Sequence, residues 1–184
     1  YQLRGQECTR SVLHALEVGY RFLDTAEYYQ NEQAVGHALS QTDIPREEII
    51  VATKLWTNHL GKDKVIPAAK ACLQRLQQDY ADLLYVHWPG GDYDPRTTLP
   101  AMEHLIDDGL IRYIGVSNFD RAQLREAQSM VDHVIPVNQV ECHPYSFPKD
   151  LFQEMQQQNV DLVAYSPLAK GRVAHEAVLQ QIGE

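Results

Sequence analysis

The chain has 184 residues, 44% of them apolar and 22% charged, with a formal charge of −9, the profile of one soluble globular domain over residues 1–184. No run approaches the ~18 to 20 apolar residues needed to cross a bilayer, and the opening YQLRGQECTR lacks the apolar core of a signal peptide, so a cytoplasmic location with no membrane partner is expected. The acidic balance and the lack of any Lys or Arg cluster speak against phosphate-backbone binding, so no nucleic-acid partner is expected. Cys8, Cys72 and Cys142 are odd in number and form no CxxC, which signals neither a disulfide framework nor a zinc site; three buried thiols are expected.

In chain order, a helix carrying Val12, Leu13 and Leu16, near residues 9–19, precedes the first of six apolar runs. These runs are RFLDTA (21–26), IIVATKLW (49–56), DLLYVHWP (82–89), YIGVSNF (113–119), VNQVECHP (137–144) and LVAYSPL (162–168), each ending in polar and turn residues. They read as buried strands. The stretches between them carry apolar residues at helical spacing, clearest at Ile66, Ala69, Leu73 and Leu76, then at Leu99, Met102 and Leu105, and at Leu151, Phe152 and Met155. Asp120 is placed to cap the helix after the fourth strand. Strand and helix alternating at this spacing imply parallel strands joined by crossovers, hence an α/β fold. Eight such units would take about 240 residues, near the size of a (β/α)8 TIM-type barrel, and six are present, so the expectation is an incomplete barrel. No GxGxxG follows a strand and no GxxxxGK[ST] occurs, so neither a Rossmann site nor a P-loop is supported.

In a parallel barrel, chemistry gathers at the carboxyl ends of the strands. The polar residues there are Asp24, Lys54, His87, Ser117, Asn118, Gln139, Glu141, His143, Tyr165 and Ser166, with Tyr28 and Tyr29 on the first loop. Any one of them alone is most simply a polar group satisfied by nearby backbone; several titratable types at one mouth suggest catalysis. Asp24, Lys54 and His87 end successive strands and can meet. A tyrosine beside Lys54 would have its pKa lowered by the ammonium, with Asp24 compensating that charge and His87 orienting a substrate oxygen. Spacing does not choose between Tyr28 and Tyr29. A metal site lacks support, since no HExxH occurs and His175-Glu176 has no second histidine.

The segments GYRFLDTAEYYQNEQAVG, VATKLW, DLLYVHWP, IGVSNF, NQVECHPY and AYSPLAKG, in this order and over nearly all of the chain, resemble the aldo-keto reductases, NAD(P)H-dependent carbonyl reductases on a (β/α)8 barrel. The resemblance implies a catalytic set of Asp24, Tyr29, Lys54 and His87, with Tyr29 as the proton donor. It implies that Asp24, Ser117, Asn118 and Gln139 serve the nicotinamide end of the cofactor and that Tyr165 stacks on its ring. Ser166 and Leu168 would approach the pyrophosphate, with Lys170 and Arg172 as neighbouring cations. Tyr28, Trp56, His87 and Trp88 would line the substrate pocket. NADPH is the implied cofactor, with NADH also possible, a small carbonyl compound the substrate, and a monomer the full-length state.

Against the family pattern, the entry hairpin, a first GLGT-type strand and a final PKS-type strand with its 2′-phosphate segment are absent, so the six strands correspond to strands two to seven. With strands two and seven left as exposed edges, the segment alone is expected to be marginal, prone to associate, or arranged as an open curved sheet, and NADPH preference rests on the family alone. Two other readings fit the residues: a Schiff-base aldolase-type barrel using Lys54, which the Asp24 partner disfavours, and a cofactor-binding regulatory or interaction module without turnover.

Overall fold

Val, Ile, Leu and Tyr runs bounded by turn residues form strands that only neighbouring strands and helices can bury. The computed structural model describes residues 1–183. In chain order the regular elements are α1 (Gly5–Glu17), β1 (Phe22–Asp24), α2 (Glu32–Leu39), β2 (Ile50–Leu55), α3 (Val65–Leu76), β3 (Ala81–Val86), α4 (Pro95–Asp107), β4 (Ile111–Ser117), α5 (Arg121–Ser129), β5 (Val137–Glu141), α6 (Lys149–Gln157), β6 (Asp161–Tyr165) and α7 (Ala177–Gly183). All five strand pairings are parallel. The six strands lie side by side in chain order, curled into part of a barrel. No helix among the described residues is long and apolar enough to cross a membrane.

The apolar stripes that the spacing picks out on α3, α4 and α6 face inward. Ala69, Leu73, Leu76, Leu99, Met102, Leu105 and Met155 are all buried, whereas Ile66, Leu151 and Phe152 are only half-buried. Asp120 caps α5 through a reciprocal capping box, its carboxylate accepting from the Gln123 N–H at 2.9 Å while Gln123 Oε1 accepts from the Asp120 N–H at 3.0 Å. Three expectations are corrected. The strands stop short of their apolar runs, so His87, Asn118, His143 and Ser166 sit just beyond β3, β4, β5 and β6; the mouth begins where the ladder ends. Burial is complete along β3 but not along the outer strands, since Phe22 and Asp24 in β1 are exposed and β6 is only half-buried, as edge strands lack a neighbour on one side. Cys142 is likewise half-buried, unlike Cys8 and Cys72, because it lies past the end of β5.

The inner face of the sheet carries a small layer of Ala52, Leu83, Tyr85 and Val137. Register sets Tyr85 beside both Lys54 and Gly115. A Cβ on Gly115 would come within 2.6 Å of the Tyr85 ring, so the ring occupies space that only glycine leaves free. Gly115→Ala is therefore expected to destabilise the fold by about 1 to 3 kcal/mol through overpacking. Adding Tyr85→Leu should recover part of that loss, and urea unfolding of the two single variants and the double variant measures the coupling.

Candidate active site

The strand order brings one polar side chain from each unit to the same mouth. Asp24 ends β1, Lys54 lies one residue from the end of β2, His87 follows β3, Ser117 ends β4 and Gln139 lies within β5. Asp24 Oδ1 forms an ion pair with Lys54 Nζ, and Lys54 Nζ also donates to the Thr25 carbonyl at 2.9 Å. The other Asp24 oxygen accepts from Gln139 Nε2 at 2.7 Å. Lys54 has 0% exposure; burial lowers its pKa, while Asp24 works in the opposite direction.

Tyr29 comes from the short 3-10 turn Glu27–Tyr29 after β1, which Gln30 closes in the left-handed region at φ 54°. Lys54 Nζ lies 5.0 Å from the centre of the Tyr29 ring, whereas Tyr28 stacks on Trp56 at 4.3 Å. The structure thus separates two tyrosines that spacing leaves equivalent. The expected lowering of the tyrosine pKa is not found. The Tyr29 hydroxyl is pushed up, first by burial and then by the Asp24 charge, because Asp24 already compensates the ammonium and leaves little net positive charge to favour a phenolate. Tyr29 therefore carries its proton at neutral pH.

His87 is buried, and its ring meets Tyr29 at 5.6 Å and Trp56 at 5.0 Å, both edge-on. Burial first, then the Lys54 charge, lowers its pKa to about 4, so the imidazole is neutral near pH 7. Its Nδ1 has no hydrogen-bond partner, while its carbonyl accepts from Asn118 Nδ2 at 3.1 Å.

These groups open on a cleft of about 610 Å³, lined by Asp24, Tyr28, Tyr29, Trp56, His87 and Trp88 on one side and by Ser117, Asn118, Gln139, Tyr165 and Ser166 on the other. On the second side, Ser117 Oγ donates to the Gln139 carbonyl at 2.8 Å and Asn118 Nδ2 donates to Ser117 Oγ at 3.0 Å. Asn118 is held in the left-handed region at φ 63°. Lys54 lies beneath the cleft rather than in its wall. Lys170 reaches the lining, but Leu168 is exposed and outside it, and Arg172 stacks over Tyr145 at 4.5 Å. Two neighbours escape sequence reasoning. Tyr1 lines the cleft with its ring 5.6 Å from that of Tyr29, and Glu27 ties the first loop to the second; neither belongs to a periodic pattern or a strand end.

The His87 shift has a sign that can be checked. The unfolded side chain titrates near 6.5 and the folded one near 4, so between these values the unfolded chain binds more protons and stability falls as pH drops, by about 3 kcal/mol in all. Urea midpoints at pH 7 and pH 4.5 should therefore differ more for the unsubstituted protein than for His87→Gln.

Comparison with known proteins gives the same picture. The model described as "Aldo/keto reductase family" matches residues 2–181. A glyoxal reductase of Bacillus subtilis is 41% identical over 98% of this chain and 65% of its own length. The methylglyoxal reductase DkgB of Escherichia coli O157:H7 is 37% identical over 99% of this chain and 69% of its own. The chain thus spans about two thirds of the curated relatives it matches. The crystal structure of a Bombyx mori aldo-keto reductase in complex with NADP superposes with a TM-score of 0.82 at 34% identity, covering 86% of this chain and 55% of that one. A family match over nearly every residue, on strands in the order the family segments foretell, means that this chain belongs to the aldo/keto reductase family.

Proposed function

We propose that the protein reduces small aldehydes and ketones to alcohols with NADPH, and that Tyr29 supplies the proton. NADH is an admissible second cofactor, and residues 1–184 act as one domain within this reading. The observation that carries it is the convergence, at one cleft, of a protonated Tyr29, a buried and compensated Lys54, and a neutral His87. The relatives named for glyoxal and methylglyoxal support α-dicarbonyls as the first substrates to try.

The opposite side of the cleft fits a nicotinamide. A carboxamide needs both donors and acceptors, and Ser117, Asn118 and Gln139 offer hydroxyl and amide groups of both kinds, with Tyr165 presenting a flat ring beside them. Ser166 and Lys170 line the cleft where an anionic pyrophosphate would need a donor and a cation; Leu168 would contribute through backbone, its side chain being exposed. When bound, the cofactor supplies the hydride that goes to the carbonyl carbon.

The chain's own groups handle the oxygen. Tyr29 O–H donates to the carbonyl oxygen and gives up its proton as negative charge develops there. The Lys54 ammonium, 5.0 Å from the Tyr29 ring, stabilises the phenolate left behind. Neutral His87 offers a second hydrogen bond that aligns the oxygen, and Trp56, Tyr28 and Trp88 exclude water and hold the substituent. Lys54 is unsuited to Schiff-base chemistry, since its ammonium is fully buried and engaged by Asp24 and the Thr25 carbonyl.

Loss of NADPH absorbance with glyoxal, methylglyoxal and aromatic aldehydes tests the reading in the full-length protein. Tyr29→Phe is expected to lower kcat by about 10² to 10⁴-fold with NADPH affinity nearly unchanged. Lys54→Met should abolish turnover and cost no more than about 1 kcal/mol in urea unfolding, because Asp24 loses its partner but keeps Gln139 and access to solvent. NADPH binding without turnover of any carbonyl would instead support the cofactor-binding module.

A further inference from the structure

The turn that carries Tyr28 and Tyr29 is fastened to the neighbouring loop by one side chain. Glu27 opens that turn, and its carboxylate reaches across to the segment after β2. One oxygen accepts from the Trp56 backbone N–H at 3.1 Å, and the other is hydrogen-bonded to Nδ1 of His59, on the 3-10 turn Thr57–His59. Cations nearby are engaged elsewhere: Arg75 Nε donates to Glu32 Oε2 at 2.6 Å and Lys64 Nζ to Asp92 Oδ2 at 2.7 Å. Glu27 is mostly buried, with 18% of its side chain exposed. Its two contacts span 29 and 32 residues, so they join separate loops.

Both ends of this strap reach the cleft. Residue 27 directly precedes the Tyr28-Tyr29 pair, and Trp56 stacks on Tyr28 while meeting the His87 ring at 5.0 Å. We propose that Glu27 is a positioning residue for carbonyl reduction, its carboxylate clamping the Tyr29 turn to the Trp56 segment so that proton donor and pocket wall keep a fixed relation. This rests on the reductase reading. The cofactor-facing Ser117, Asn118 and Gln139 lie on and beside β4 and β5, outside the reach of the strap, so its loss acts on the chemical step and spares cofactor binding. An oxygen acceptor is what the Trp56 N–H requires, and a glutamine amide supplies one.

The test uses the full-length protein with Glu27→Ala and Glu27→Gln. Glu27→Ala is expected to lower kcat by about 10 to 10²-fold, as ångström-scale misplacement does, with the NADPH dissociation constant within about twofold of the unsubstituted protein. Glu27→Gln is expected to restore most of that loss by keeping the Trp56 contact, and His59→Leu to show a smaller drop than Glu27→Ala. In a Trp88→Phe background, which leaves Trp56 as the one tryptophan within residues 1–184, the acrylamide quenching of Trp56, isolated as the difference from the matched Trp88→Phe/Trp56→Phe protein, should increase with Glu27→Ala and change little with Glu27→Gln. Unchanged kcat in a folded Glu27→Ala overturns the proposal, as does a parallel loss of NADPH affinity or a Glu27→Gln as impaired as the alanine. If the unsubstituted protein reduces no carbonyl, the reductase reading fails, and the quenching comparison still decides whether the strap holds Trp56.

Discussion

A lysine ammonium with no exposure to solvent is the constraint on which this structure turns. Removing such a charge from water is unfavourable by several kcal/mol unless a counter-charge and further hydrogen bonds replace the lost hydration. Lys54 obtains both from Asp24 and from the Thr25 carbonyl, and Asp24 is in turn held by Gln139. Strands β1, β2 and β5 are thereby tied at their carboxyl ends by one polar network. Burial, first, sets the protonation of the neighbours: with the Asp24 charge it keeps Tyr29 a phenol, and with the Lys54 charge it keeps His87 a neutral imidazole, rather than adding two more charges.

A second set of buried charges works on the outer side of the sheet. Glu32 of α2 accepts from Thr53 at 2.5 Å and from Arg75 of α3, and Asp82 of β3 accepts the guanidinium groups of Arg46 and Arg112 and the Val51 N–H. Glu154 of α6 is paired with Arg125 of α5. Each buried carboxylate meets a guanidinium, the donor geometry best matched to it. The inner face keeps its lysine for the mouth, so the two faces divide structural and chemical charge between them.

How much of this the sequence discloses depends on how local the signal is. Apolar runs and helical spacing reveal the parallel α/β order, and a polar residue at the end of each run marks Asp24, Lys54, His87, Ser117 and Gln139 as neighbours. Asp120 reveals its cap because the motif lies within four residues. Contacts between elements are not legible in this way. Glu27 with His59 and Glu32 with Arg75 join residues 32 and 43 apart, and nothing near either partner announces the other. The protonation of Tyr29 was hidden for a related reason, since the balance between burial and the Asp24 charge is set by three dimensions and not by residue types. Strand ends were overextended because apolar character continues past the last ladder bond.

The hydrogen bond between Gln139 and Asp24 closes a span of 115 residues, whereas the Lys54–Asp24 pair closes only 30. Loop closure costs more entropy for the longer span, and contacts distant in sequence slow folding. The ion pair needs only β1 and β2 to be in place. The amide clamp must wait for β5. The two anchors of one carboxylate thus differ in reach: a sheet lacking β5 would hold its lysine neutralised but its aspartate only half engaged.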